Sequence, residues 1–289
     1  MSKLISDKYK DWEKLCDERF EKLKSNEEEL NRFFIDLYGV GSEISPQVAD
    51  SDITVRRADL QREIKSLISY AVGCIFGRYS LDRDGLCYAG GNWDSTAYST
   101  IIPCTDNIMT LNDSESGLTA AVIEFMEKVY GSDTLNENLD FIVSALGGSG
   151  DARTFLHNYL KRSFFTDHSK IYKSRPIYWQ ITSGRKNAFT ALMYVHRYNE
   201  SFLEVLIKAH AQPRYDKLRD DLKKLSTAHK SSIGAQKASY RRDISRVQTL
   251  LLEMEGFLHR LQLLSKQGIT IDLDDGVKNN YEKLKDILV

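Results

Sequence analysis

The first forty residues constrain the fold more than any other part of the chain. Between about Asp7 and Tyr38, Cys16, Leu23, Leu30 and Leu37 recur every seven residues, and Trp12, Phe20, Phe33 and Phe34 widen the stripe. That period predicts one long amphipathic helix. Its other faces are dense in Glu and Lys, as in the i, i+4 pair Glu18 and Lys22. Gly39-Val40-Gly41 ends it, because glycine takes the left-handed turn after a helix without strain. So wide an apolar stripe needs cover, either from this chain or from a missing N-terminal part.

Helical patterning continues. After a connector from Ser42 to Ser51, a second helix is expected up to Phe76. Asp52 and Thr54 are its caps, and Leu60, Ile64, Leu67, Ile68, Ala71 and Ile75 form its buried face. Its small last turns, Ala71-Val72-Gly73-Cys74, predict close helix–helix packing. Leu81 to Asp113 reads as a long loop with a short strand at Leu86-Cys87-Tyr88. Helices follow at about Leu118–Tyr130, Leu135–Leu146 and Ala152–Phe165. The β-favouring runs Ile177–Thr182 and Ala188–Val195 flank Ser183-Gly184-Arg185-Lys186-Asn187, which predicts a β-hairpin with a basic tip. Arg214 to Gln267 suits one or two long antiparallel helices, and a last short helix runs from Asn280 to Leu288. The expected class is mainly α with a small β element, an α+β fold. Its expected parts are a connector helix (1–38), a mixed helical core with the hairpin (39–199) and a C-terminal helical region (200–289).

Composition excludes several classes. Apolar residues at 42% and charged residues at 28% suit a globular protein rather than a disordered one. No apolar run approaches the roughly 20 residues of a membrane span, and the N-terminus turns polar at once, so a cytoplasmic protein without membrane contact is expected. Cys16, Cys74, Cys87 and Cys104 are too far apart for paired zinc ligands, so neither metal nor disulfide is expected. Asp52 with Glu63 and Lys65 mimics a nuclease D…E-x-K, but Glu63 and Lys65 fall on a solvated helix face. The six histidines are scattered without a metal-binding pattern.

A net charge of −1 conceals a strong asymmetry. Residues 101–150 hold eight acids and one base, whereas 151–200 hold nine bases and three acids, and 201–266 hold thirteen bases and seven acids. A segregated positive field points to a polyanion, with pairing against the acidic 101–150 segment as the alternative. Candidate DNA contacts are Arg175, Trp179, Arg185, Lys186 and Arg197 around the hairpin, and Lys223, Lys224, Arg241 and Arg242 along the helical region. Of the adjacent Tyr178 and Trp179, at least one must face the core, so the tip is the stronger candidate. Arg78 is expected to pair with Asp82 or Asp84.

Several ordered strings carry a family resemblance. They are Asn26–Arg32, Phe34–Gly39, Ser69–Cys74, Phe76–Leu81, Arg175–Trp179, His196–Tyr198 and Ile271–Lys278. Together they resemble the C-terminal part of PglX-type adenine-specific DNA methyltransferases of bacteriophage-exclusion (BREX) and restriction-modification systems. The catalytic half of that family binds S-adenosylmethionine through a glycine-rich turn and holds a flipped adenine at an Asn-Pro-Pro-Tyr loop. Here Pro46, Pro103, Pro176 and Pro213 are never adjacent, and no glycine-rich turn links a strand to a helix. The resemblance therefore implies a non-enzymatic portion without cofactor, engaging DNA or positioning it for a methyltransferase catalytic half. The alternative is a structural module that docks other defence-system proteins without touching DNA.

Overall fold

A computed structural model describes residues 3–289. The chain forms two compact units, one from the chain up to Leu67 with Met126–Ala152, the other from Ile68–Phe125 with Arg153–Val289. Among the described residues no helix is long and apolar enough to cross a membrane.

In the first unit, helix α1 (Ile5–Tyr38) is the long helix that the period predicts. Its N-cap residue, Leu4, has no capping side chain. Asn138 of α4 (Leu135–Ala145) does that work from across the unit: its side-chain oxygen accepts from the Ile5 N–H at 2.8 Å, and its amide donates to the Lys3 carbonyl at 3.0 Å. Ile5, Cys16 and Phe20 are buried. Arg57 lies 4.0 Å over the Phe20 ring while reaching Asp17 at 2.9 Å and Glu21 at 2.5 Å, and Lys24 pairs with Asp50 at 2.6 Å. These exposed ion pairs contribute little each, but they mark where the chain covers the helix. Beyond Asn31, which donates to the Pro46 carbonyl, cover ends. Leu30, Phe33, Phe34, Leu37 and Tyr38 are 46–71% exposed. The expected stripe is thus covered over only part of its length, and Trp12 on the same helix is also exposed.

Helix α2 (Leu60–Ile75) starts later than its expected caps. Asp50–Asp52 form a 3-10 turn instead, and Asp59 accepts from the Arg62 N–H at 2.7 Å. At the other end, in the second unit, the small residues do allow close packing, but against aromatic rings rather than a helix. A Cβ on Gly73 would meet the Tyr79 ring at 2.5 Å and the Tyr178 hydroxyl at 3.2 Å. Asp82 fastens the following loop by accepting from the N–H groups of Ser99 and Thr100.

The second unit is built on a three-stranded antiparallel sheet in the order β1-β3-β2. β2 (Tyr178–Thr182) and β3 (Thr190–Tyr194) are the expected hairpin, with Tyr178 opposite Tyr194. The third strand, β1 (Ile108–Thr110), pairs with β3, whereas Leu86-Cys87-Tyr88 forms no strand. Both faces are covered: Trp179, Ile181 and Ala191–Tyr194 are all 0% exposed. His168 of α6 (Phe164–Ile171) holds the start of β2, accepting at Nε2 from the N–H groups of Ile177 and Tyr178 at 3.1 and 3.3 Å. Burial pushes its pKa down to about 4, so the ring is neutral. α3 (Gly117–Tyr130) contributes to both units, and α5 (Ala152–Arg162) precedes α6.

The predicted C-terminal antiparallel region is a helical hairpin. α7 (Phe202–Val205) runs through a π-turn at Leu206–Ala211 into α8 (Gln212–Ser231), and α9 (Gly234–Ser265) returns along it. Pro213 lacks the N–H that regular α-helical bonding needs, which accounts for the widened turn before it. α10 (Gly276–Leu284) follows.

Candidate nucleic-acid interface

The α8–α9 hairpin has a packed half and a bare half. Val247, Leu251, Met254, Phe257, Leu258, Leu261 and Leu264 bury the C-terminal half of α9. Between Leu218 and Val247 only Ser232 is buried, and Ile233 at the turn is 86% exposed. This bare stretch, 219–246, carries eight bases against three acids. Lys223 pairs with Asp220 at 3.3 Å, while Arg241 and Arg242 are exposed and their side chains have no hydrogen bond or ion pair among the described residues. Lys224 and Arg246 line a shallow groove of about 380 Å³ with Asp221 and Asp243. A solvated basic helix pair of this kind can follow a phosphate backbone.

Glu253, on the packed half of α9, fixes the β-hairpin tip beside this surface. Its carboxylate accepts from the N–H groups of Lys186 (2.8 Å) and Ala188 (3.1 Å) and from the Ser183 hydroxyl (2.7 Å). Burial works to raise its pKa, but these donors outweigh burial and hold it below the usual glutamate range. Arg260 donates to the Ser183 carbonyl at 2.7 Å, and Arg214 of α8 donates to that of Ala188 at 3.0 Å. The backbone of the tip is therefore fixed while the Arg185 and Lys186 side chains project into solvent. Along α9, Glu253 lies about 10 Å from Arg246 and about 18 Å from Arg241 at the helical rise. The anchor of the tip therefore lies about two turns along α9 from the nearest arginine of the bare basic stretch.

The remaining candidates lie at the opposite end of the sheet. Trp179 is fully buried, its indole N–H donating to the Pro176 carbonyl at 3.0 Å, so it presents no ring face to a ligand. The Arg197 guanidinium donates to the carbonyls of Phe76 (3.2 Å), Cys104 (2.8 Å) and Thr105 (3.2 Å) and lies 4.4 Å over the Trp93 ring, beside a cavity of about 610 Å³. It fastens loops together. Arg175 is exposed on a groove of about 830 Å³.

Arg78 does not pair with Asp82 or Asp84. Its guanidinium donates to the hydroxyls of Tyr79 (3.2 Å) and Tyr194 (2.9 Å). Burial opposes its charge, but these hydroxyls prevail and raise its pKa. Glu253 escapes the sequence analysis. Its only signal there is an acid next to the apolar positions Leu250, Leu251 and Met254, which the helical period assigns to packing.

No protein-family model matches the chain. It is 42% identical over 285 residues to the adenine-specific methyltransferase PglX of Lacticaseibacillus casei (strain Zhang), an alignment covering 95% of this chain and 24% of that protein. It is 37% identical over 243 residues to the adenine-specific methyltransferase BrxX of Escherichia coli O9:H4 (strain HS), covering 78% and 20% respectively. The resemblance carried by the ordered strings is borne out: the chain matches a C-terminal part of such methyltransferases and spans about a quarter of their length or less.

Proposed function

We propose that this chain is the non-catalytic C-terminal portion of an adenine-specific DNA methyltransferase of a phage-defence or restriction-modification system, and that it holds duplex DNA for the catalytic half. The observation that carries this is the bare basic half of the α8–α9 hairpin, beside which Glu253, on the packed half of α9, fixes the Arg185–Lys186 tip. Lys223, Lys224, Arg241 and Arg242 would contact phosphates, with Arg185 and Lys186 reaching a backbone or groove edge. Titration of the chain with a short fluorescent duplex should give a Kd of roughly 10⁻⁴ to 10⁻⁶ M at physiological salt, tightening as salt falls. Neutralising Arg185 and Lys186 together should weaken it. No detectable binding at low salt would sink the DNA reading. Calorimetry with S-adenosylmethionine should register no binding, and a micromolar Kd would overturn the non-catalytic assignment.

A docking role is supported by a separate observation. Leu30, Phe33, Phe34, Leu37 and Tyr38 stand at i, i+3, i+4, i+7 and i+8 and are exposed on α1, the spacing of a helix that lies in an apolar groove. The partner suggested is the part of such a methyltransferase that this chain does not span, since relatives are at least four times as long as the matched region. Co-purification with that part should be lost on Phe33→Asp with Phe34→Asp. Retention would rule this face out.

A further inference from the structure

The groove beside Arg175 adds to positive charge an apolar lining that the bare basic stretch of α8 and α9 lacks. Its apolar lining comes from Phe165 of α6, Pro176 at the entrance to β2, and Tyr281 of α10, whose ring packs edge-on against Trp179 at 5.8 Å. Lys173, Arg175 and Lys278 supply positive charge, and none has a hydrogen bond or ion pair from its side chain among the described residues. The one acidic side chain in the lining, Asp275, is offset by Lys283 at 3.4 Å, and the Tyr281 hydroxyl donates to the Val289 oxygen on the same wall. The loop bearing the cations is set in place. Lys173 and Ser174 both hold left-handed backbone (φ 51° and 61°), and the N–H groups of Ser174 and Arg175 donate to the carbonyls of Ser169 and Tyr172 at 2.8 and 2.9 Å. Two successive non-glycine residues in that region need a surrounding structure that enforces it.

The volume, about 830 Å³, lies in the range of sites that enclose a small planar ligand. An apolar floor with aromatic rings suits a nucleobase, and a cationic rim suits the phosphates on either side of it. The place is distinct from the phosphate-contacting surface. Pro176 and Ser183 bracket β2, so the groove and the hairpin tip are separated by about 23 Å at the rise of a strand.

We infer that this groove receives a nucleotide unstacked from a DNA strand, its base against Phe165, Pro176 and Tyr281 and its phosphates against Lys173, Arg175 and Lys278. The inference rests on the reading that the chain contacts DNA and adds a single-stranded subsite to it.

The test measures fluorescent oligo(dT) and a short duplex side by side on the full chain, with Arg175→Ala/Lys278→Ala as the exposed, fold-neutral variant. Phe165→Leu, checked by its melting temperature, removes a ring while keeping bulk. Each variant should weaken oligo(dT) binding roughly tenfold. The double variant should also lower the oligo(dT) salt slope by about 1.4, and duplex affinity should stay as it was. Unchanged oligo(dT) affinity with intact duplex binding overturns the groove and leaves the DNA reading standing. Failure of wild type to bind either DNA at low salt overturns both. Displacement of oligo(dT) by poly(glutamate) at equal concentration, lost in the same variants, would assign the groove to an acidic protein segment and overturn the nucleotide.

Discussion

The two longest helices, α1 and α9, are each half covered, and their bare halves differ in chemistry. α1 is packed near its start, where Ile5, Cys16 and Phe20 are buried, and leaves Leu30 to Tyr38 exposed and apolar. α9 is packed near its end, from Val247 to Leu264, and leaves a start that is exposed and basic, with Lys237, Arg241, Arg242 and Arg246. An exposed apolar face at helical spacing calls for a protein partner, because water gains from its burial. An exposed basic face is well solvated and calls for a polyanion, whose counterions are released on contact. The contrast teaches that a long helix in such a chain is a structural arm over one half and leaves the other half to solvent, with a surface chemistry of its own.

The largest effect should separate covered from bare positions. Phe257→Ala, in the covered half of α9 where its ring stacks on Phe189 at 5.4 Å, should lower stability by about 3–5 kcal/mol in chemical denaturation. Phe34→Ala, in the bare half of α1, should change it by no more than about 0.5 kcal/mol. Similar losses at both sites would break the comparison.

Acid should act next, on the sheet whose hairpin turn α9 holds. His168 has a folded pKa of about 4 against its ordinary 6.5, so the neutral form is the one the fold prefers. Its contribution is fully present above pH 6.5, declines as pH falls through 6.5, and levels off below 4, a loss of about 3 kcal/mol. Subtracting the stability–pH curve of His168→Gln from that of wild type should isolate this fall. A difference curve that stays flat between pH 6.5 and 4 contradicts the account.

A smaller effect concerns how α1 is anchored. Asn138→Ala removes the side chain that accepts from the Ile5 N–H at the start of the helix and should cost about 1–2 kcal/mol. Hydrogen exchange should speed up in the first turns of α1 and stay unchanged at Leu30–Tyr38. Uniform acceleration would mean that the two halves are not independent.

Most of this architecture was legible in the sequence. The periods of α1, α2 and α9 and the β-favouring runs around Ser183–Asn187 announce elements that the structure contains, because helix and hairpin signals are local. β1 was not legible: Ile108-Met109-Thr110 is too short to show alternation and is a strand only because β3 lies beside it. Nor could the period reveal where cover ends, since Cys16 and Leu37 obey the same seven-residue spacing and only one is buried. The arginines were equally opaque. Arg185 lies at the hairpin tip and Arg197 just after its second strand, yet one projects into solvent and the other is spent on three carbonyls, a difference set by loops distant in sequence. Glu253 was hidden for the same reason.

The claim that the bare basic half of α9 meets DNA is tested most directly by the salt dependence of duplex binding. Log affinity against log salt concentration should be a steep line for the wild-type chain. For Arg241→Gln/Arg242→Gln it should be shallower by about 1.8, the change expected when two phosphates are no longer neutralised, with the melting temperature unchanged. A slope identical in the two proteins would contradict the account, because the phosphates would then be met elsewhere.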